Sequence, residues 1–122
     1  MATEREILEV LGKMEADISG FIAASLVDIE SGMTLAARSR RADFDLTLAS
    51  AYNSEMVKQK LKAMRVLNLN TSLEDMLLTL GDQLHLIRIV TPGTFLYLAA
   101  ERAGTNLAIV RGAVQRHVSA LL

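Results

Sequence analysis

Residues 73–101 read LEDMLLTLGDQLHLIRIVTPGTFLYLAAE, and this pattern predicts three consecutive strands of an antiparallel sheet. Two turn signals separate the strands, Gly81-Asp82 and Pro92-Gly93. A two-residue loop at Gly81-Asp82 places Leu80 opposite Gln83 and so sets the register of the first hairpin. Proline cannot supply the positive φ of the tightest hairpin loops, so the second turn leaves the register of the third strand open.

The first hairpin gains support from the residues that its register brings together. Met76 lies opposite Ile87, and Asp75 lies opposite Arg88, which makes a cross-strand pair of opposite charges. Both faces of the hairpin are apolar: one carries Met76, Leu78, Ile87 and Ile89, and the other carries Leu77, Leu84, Leu86 and Val90. A sheet that is apolar on both faces needs helices on both.

The remaining sequence predicts three helices and two more strands. The helices cover about residues 4–18, 44–67 and 107–121, and the additional strands cover about residues 21–28 and 33–38. Thr3 and Glu6 have the spacing of a capping box at the start of the first helix. Asp43 is placed to cap the second helix, and either Thr105 or Asn106 is placed to cap the last one.

These elements predict an α/β protein of the α+β type, in the order α-β-β-α-β-β-β-α. A central, mainly antiparallel five-stranded sheet lies between the long helix on one face and the two terminal helices on the other. This is a three-layer α/β/α arrangement. We expect residues 1–122 to form a single domain, because a chain of 122 residues can bury a core without disulfide bonds.

The second helix has more apolar surface than one sheet can cover. Its apolar positions occupy well over half of the helix circumference, whereas a helix packed on one sheet needs an apolar stripe of about 100° or somewhat more. Asn53 and Lys60 lie within this broad stripe and suit an interface rim better than a closed core. The strand at residues 73–80 also has an unprotected outer edge, with no proline and with Asp75 already paired to Arg88. Both features predict a dimer.

Composition excludes several functional classes. With 13 basic and 14 acidic residues the net charge is −1, which argues against a nucleic-acid-binding protein. The absence of cysteine removes disulfide bonds, thiol nucleophiles and thiolate metal sites. The N-terminus has no signal pattern, and no uncharged apolar run approaches the roughly 20 residues of a membrane span. We therefore expect a cytoplasmic protein with no membrane insertion.

Residues with catalytic or ligand-binding potential do not form a recognisable set. Neither His85 nor His117 has a ligand at a spacing typical of metal sites, so both are interpreted as structural or surface residues. Ser25 and Ser54 lack the sequence context of a hydrolase nucleophile. No phosphate-binding glycine motif is present. We therefore expect no catalytic residue, no cofactor, no metal site and no enzymatic activity.

A group of basic residues has two interpretations. Lys58, Lys62 and Arg65 form an i, i+4, i+7 row on the second helix. The preceding loop adds Arg38, Arg40 and Arg41. These residues are either a solvated face, with positive charge near a helix C-terminus, or a docking surface for an acidic partner. The sequence alone leaves the two interpretations open.

Four segments together carry a resemblance to a known family: Val27–Gly32, Leu77–Gly81, Phe95–Leu98 and Asn106–Arg111. In order and spacing they resemble the roadblock family of dynein light chains and its bacterial relatives over residues 7–121. The resemblance implies a profilin-like roadblock fold. It also implies a homodimer or heterodimer in which the third strands pair across a two-fold axis beside the second helices. Bacterial members of the family bind and regulate small Ras-like GTPases, and other members are scaffolds.

The resemblance, with the apolar excess and the open strand edge, implies a function and its residues. We expect a non-enzymatic homodimeric adaptor that binds and modulates a small Ras-like GTPase. The alternative is a small-molecule-sensing or scaffold domain in a signalling complex. The expected dimer interface comprises Tyr52, Met56, Lys60, Ala63, Leu73, Asp75, Leu77 and Thr79. The expected partner-binding residues are Arg40, Arg41, Lys58, Lys62 and Arg65.

Overall fold

A computed structural model describes residues 2–122. It contains, in chain order, α1 (Glu4–Asp17), β1 (Phe21–Asp28), β2 (Thr34–Ser39), α2 (Leu46–Val66), β3 (Asp75–Thr79), β4 (Gln83–Thr91), β5 (Thr94–Glu101) and α3 (Leu107–Val118). Short 3-10 turns follow β5 and α3. The order and type of the elements confirm the prediction. No helix within the described residues is long and apolar enough to cross a bilayer.

The five strands form one antiparallel sheet in the order β2-β1-β5-β4-β3. The first two strands of the chain therefore join the last three through the β1–β5 pair. The two strands at the edges of the sheet are β2 and β3, and each has a neighbour on one side only within the chain. This topology leaves the outer edge of β3 open.

The register of the β3–β4 hairpin agrees with the sequence prediction. Asp75 pairs with Arg88 and Met76 with Ile87. The Leu80 N–H donates to the Gln83 carbonyl at 2.9 Å, so Gly81 and Asp82 form the loop between them. Turn residues and cross-strand pairs were sufficient to predict this register because both act over a few residues.

The β4–β5 register, which the sequence left open, depends on an irregularity in the ladder. Pro92-Gly93 joins Thr91 to Thr94, whose hydroxyl groups hydrogen-bond at 2.8 Å. Between Ile89 and Thr91 the pairing shifts, as in a β-bulge. Beyond the shift, Ile89 pairs with Phe95.

The sheet separates two hydrophobic cores. On one face, α1 and α3 pack against the sheet through buried residues that include Leu11, Met14 and Val110. On the other face, α2 packs through Val57 against a sheet surface that includes Tyr97. The long helix alone on one side and the two terminal helices on the other confirm the predicted three layers.

Helix capping followed the prediction at two of three helices. The Thr3–Glu6 capping box is formed in both directions, and Asn106 caps α3 by accepting a hydrogen bond from the Ile109 N–H at 2.9 Å. The prediction that Asp43 caps α2 was wrong. Asp45 does so, because the helix begins two residues later than expected and its first turn presents the Leu48 N–H to Asp45 at 2.9 Å.

Candidate interaction surfaces

The free edge of β3 presents a defined set of backbone groups. The Leu80 N–H donates to Gln83, and the Ile89 N–H donates to the Glu74 carbonyl at 2.9 Å. Hydrogen bonding in an antiparallel pair alternates along the strand, so even-numbered residues from 74 to 80 direct their backbone groups toward β4. Asp75, Leu77 and Thr79 therefore direct theirs away from the sheet. These three residues belong to the predicted dimer interface.

Asp75 is held by two arginines. Its Oδ2 lies 2.9 Å from Arg111 Nε and 3.6 Å from Arg88 Nη1, and its side chain is only 11% exposed. The predicted pairing with Arg88 is confirmed, but Arg111 of α3 is the closer partner. An uncompensated charge pointing inward on an edge strand opposes pairing with a further strand. Here the guanidinium groups compensate the Asp75 charge, so that obstacle is removed.

The outer face of α2 exposes large apolar side chains. Tyr52 is 70% exposed and Val66 72%, and Leu67, which follows the helix, is 64% exposed. Of the other helical positions predicted at the dimer interface, Lys60 and Ala63 are exposed and Met56 is partly buried against the core. Contiguous exposed apolar surface on a protein marks an interaction site. The structure thus places the apolar excess of α2 on its solvent face.

The basic row on α2 is only partly neutralised. Lys58 Nζ lies 2.9 Å from Glu55 Oε1 and donates to the Glu30 carbonyl at 3.2 Å. Lys62 and Arg65 are exposed, and neither forms an ion pair within residues 2–122. Two of the three cations are therefore available to an external anion.

The arginines of the preceding loop do not join this row. Arg38 and Arg40 both hydrogen-bond to Glu15 of α1, and these contacts lower the pKa of that carboxyl, with Arg38 making the larger contribution. Arg41 lies 3.3 Å from Asp43 and 3.6 Å from Glu101. Since α1 and α2 cover opposite faces of the sheet, the predicted partner-binding residues fall into two groups.

A cleft opens where the C-terminal part of α2 meets the sheet. Its volume is about 530 Å³. The apolar side of its lining comprises Ile29, Leu61, Met64, Leu69, Leu73, Ile89, Val90 and Pro92. Arg65, Thr71, Ser72, Glu74, Arg88 and Thr91 contribute polar groups. Arg65 therefore belongs both to the basic row and to the wall of the cleft.

A polar and aromatic cluster lies between the start of α2 and the sheet. The Tyr97 hydroxyl is 3.2 Å from His85 Nδ1, and His85 Nε2 is 2.8 Å from Gln83 Oε1. The Phe44 ring stacks on Tyr97 with centroids 6.5 Å apart. Burial lowers the pKa of His85 and raises the pKa of Tyr97 to about 12. This environment favours neutral forms of both side chains.

Two of the three remaining candidate side chains have structural partners. His117 Nε2 lies 2.7 Å from Asp17 Oδ2, which links α3 to the end of α1. Ser54 is buried and donates to the Ala51 carbonyl at 2.8 Å, whereas the buried Ser25 hydroxyl has no hydrogen-bond partner in the described part of the chain. Within residues 2–122, no three His, Cys, Asp or Glu side chains are grouped so that they could hold a metal ion.

Solved structures match this arrangement over almost its whole length. Myxococcus xanthus MglB superposes with a TM-score of 0.87 at 15% identity, over 99% of this chain and 88% of that one. A Roadblock/LC7 domain from Streptomyces avermitilis superposes with a TM-score of 0.81 at 14% identity, over 93% of this chain and 92% of that one. The chain has the roadblock/LC7 fold. The predicted resemblance is thereby confirmed at the level of the fold.

The roadblock fold extends to more distant matches at slightly higher identity. MglC from Myxococcus xanthus superposes with a TM-score of 0.63 at 21% identity, over 93% of this chain and 94% of that one. No protein-family model matches the sequence, and no curated protein matches it significantly. The relationship is therefore carried by three-dimensional structure.

Two features of this roadblock fold were not predicted from the sequence. Arg111 lies 36 residues from its partner Asp75, and no local pattern connects them. The cleft combines residues of α2, the α2–β3 loop and β4, which meet only in the folded chain. The sequence contained one indication of each feature. Arg111 is the last residue of the Asn106–Arg111 segment that carries the resemblance, and Arg65, which lines the cleft, is the last residue of the basic row.

Proposed function

We propose that the protein is a non-enzymatic dimeric adaptor that binds and modulates a small Ras-like GTPase. The observation that carries the proposal is the open, charge-compensated edge of β3, together with the exposed apolar side chains of α2, in a chain with the roadblock fold. The bacterial proteins that the sequence resembles partner such GTPases. A cytoplasmic location and a role in signalling are part of the proposal, as is a single domain over residues 1–122.

The proposed dimer forms by pairing β3 with its own copy about a two-fold axis. The outward backbone groups of Asp75, Leu77 and Thr79 supply the hydrogen bonds, and the two sheets become continuous. A strand of five residues contributes few bonds, so the apolar face of α2 supplies additional buried area. The proposed interface comprises Tyr52, Met56, Lys60, Ala63, Leu73, Asp75, Leu77 and Thr79.

The proposed GTPase-binding surface uses the unpaired cations of the basic row. Lys62 and Arg65 attract an acidic surface and increase the association rate more than they increase the affinity. Lys58 contributes after exchanging its present partners. Arg40 and Arg41 lie apart from the row and form a second contact area in this proposal. Modulation follows if the adaptor contacts one conformation of the GTPase switch segments better than another, since a ligand shifts a conformational equilibrium only by its differential affinity.

Affinity capture in two nucleotide states tests this proposal. The wild-type chain is used as bait in native lysate supplied with either GDP or a non-hydrolysable GTP analogue, and captured proteins are identified by mass spectrometry. We expect a small GTPase to be enriched in one nucleotide state. The Lys62→Glu/Arg65→Glu variant should capture several-fold less, whereas Lys13→Glu, an exposed change on α1, should capture as much as wild type. Capture of no small GTPase in either state would refute the proposal.

A second candidate function is favoured by the cleft between α2 and the sheet. Its volume of about 530 Å³ lies in the range of small-ligand pockets, roughly 300–1,000 Å³. This is where a small-molecule-sensing domain would hold its ligand. Stabilisation of the chain against heat by a metabolite pool, lost when Leu69 on the cleft wall is changed to Asp, would favour the sensor over the adaptor.

A further inference from the structure

We infer that the cleft beside α2 is a docking site for a short acidic peptide segment that carries one large apolar side chain. The apolar side chain enters the cleft, and the following carboxylates meet Arg65 and Lys62. The inference rests on the proposed function in using the same basic row, but it does not require the partner to be a GTPase.

The apolar part of the cleft determines which kind of side chain can enter it. Ile29 is 6% exposed and Met64 8%, and they form buried parts of its lining, whereas Leu69 is 48% exposed. The free energy of binding is favourable when an apolar group displaces water from a concave apolar surface. The cleft therefore favours an aliphatic or aromatic side chain over a polar one.

The charged side chains at the cleft favour an acidic segment and orient it. Arg65 lines the cleft and has no internal ion pair in the described chain, and Lys62 continues the row one turn back along α2. Glu74 and Arg88 line the cleft from the strand side, and Arg88 is already paired with Asp75 at 3.6 Å. The cations that form no ion pair within residues 2–122 lie on the helix, so an acidic segment is oriented with its carboxylates over α2 and away from Glu74.

The spacing of the cations along α2 distinguishes a peptide from a small amphiphile. Lys62 and Arg65, the two cations available to an external anion, are three positions apart on a helix that rises 1.5 Å per residue, so they are separated by roughly 5 Å along its axis. That distance corresponds to about one to two residues of an extended peptide. A fatty acid whose tail fills the cleft has one carboxylate and satisfies Arg65 alone. Cations beyond the mouth of the cleft match a chain with more than one carboxylate.

A peptide array probed with the full chain tests the inference. The array holds hexapeptides in which Leu, Phe, Met or Ala is followed within three residues by zero, one or two Asp or Glu. We expect binding to increase with the number of carboxylates and to be weakest for Ala. An array with no bound peptide, or with no preference for acidic residues, would overturn the inference.

Binding of the strongest array peptide is then measured by fluorescence polarisation. Lys62→Glu/Arg65→Glu should weaken it about tenfold, because exposed ion pairs contribute up to about 1 kcal/mol each and 1.4 kcal/mol corresponds to a factor of ten. Lys13→Glu should leave it unchanged. Leu69→Asp should weaken it through the cleft rather than the row. Equal affinity for wild type and the double variant would contradict the docking site.

Two further arms separate this inference from its alternatives. Laurate is added as a competitor, and if it binds while no array peptide does, the cleft is a small-amphiphile site and the inference is wrong. Acidic peptides that bind in the cleft while nucleotide-state capture yields no GTPase would support the inference and reject the proposed function. If a GTPase is captured, its binding is insensitive to Leu69→Asp and no array peptide binds, the proposed function is supported and the inference is rejected.

Discussion

The two edge strands, β2 and β3, differ in how they are protected from pairing with another chain. The β1–β2 ladder shifts between Leu26 and Val27, and β2 carries exposed Arg38, which is bound to Glu15 of α1. A bulge and a charged side chain are two devices by which natural sheets block their edges. The β3–β4 ladder runs without a shift over its five pairs, and its edge charge is compensated. One edge is blocked and the other is left available.

Because of this difference, β3 is the edge strand that can pair with a strand of another chain. Both edges expose backbone groups, but only β3 combines a ladder without a shift and a partly exposed apolar side chain, Leu77, at an outward-facing position. An unblocked apolar edge on a folded chain indicates a pairing partner rather than a defect.

Proline substitutions on β3 should have the largest and most divergent effects. Leu77→Pro removes an N–H that points away from the sheet, so we expect a folded chain that no longer dimerises, with a dissociation constant at least about tenfold higher. Met76→Pro removes an N–H bonded to β4 and should reduce the free energy of unfolding by about 1–3 kcal/mol or more. Light scattering and thermal unfolding measure the two effects.

The matched control for Leu77→Pro lies on the other edge. Because the Arg40 N–H donates to the Ile22 carbonyl at 2.8 Å, alternation places the Ala37 N–H outward on β2. Ala37→Pro should leave the oligomeric state unchanged. If Leu77→Pro and Met76→Pro both remain dimers with unaltered dissociation constants, β3 is not the seam and α2 alone carries the contact.

Removing Arg111 should have a smaller effect confined to the β3 edge. Arg111→Ala leaves Asp75 with Arg88 alone at 3.6 Å and so exposes part of its charge to the seam. The Arg111 side chain is 53% exposed, so the free energy of unfolding should fall by less than about 1 kcal/mol. Dimer dissociation should become a few-fold easier, and the double variant Asp75→Asn/Arg111→Ala should recover it. Sedimentation at several protein concentrations would expose a failure of this recovery.

The smallest effect should come from the His85 cluster, which supports β3 from within because His85 pairs with Leu78. Burial lowers the pKa of His85 in the folded chain below its usual value of 6.5. The neutral form is therefore favoured on folding. Its contribution is complete above the unfolded pKa and is lost as pH falls through the folded pKa.

Urea unfolding at pH 7.5 and 5.5 measures this contribution, since carboxyl groups remain ionised over that interval. The wild-type chain should lose more stability on acidification than His85→Gln, in which the group no longer titrates. His117→Gln serves as a comparison, because that exposed ion pair lies on the α1–α3 side of the sheet. Equal losses in wild type and His85→Gln would show that the cluster does not couple to protonation.

Local features of the sequence were enough to predict most of the architecture. Capping at Thr3 and hairpin closure at Gly81-Asp82 depend on residues three or fewer positions apart, and apolar periodicity distinguishes helices from strands. The misplaced cap at Asp43 shows the limit of this approach. Two aspartates two positions apart are both acceptable caps by composition, and only the path of the folded chain selects Asp45 and leaves Asp43 to Arg41.

The order of elements, the two apolar faces of the sheet and the register of the first hairpin follow from the amino-acid sequence, because short-range hydrogen bonds and side-chain periodicity specify them. Which distant groups meet depends on the folded chain. Strand order β2-β1-β5-β4-β3 puts Arg111 against Asp75, places the α2–β3 loop over a cleft and separates Arg40 from Lys62. Such contacts join residues far apart in the chain, so they depend on how the layers pack and leave no mark on any local pattern.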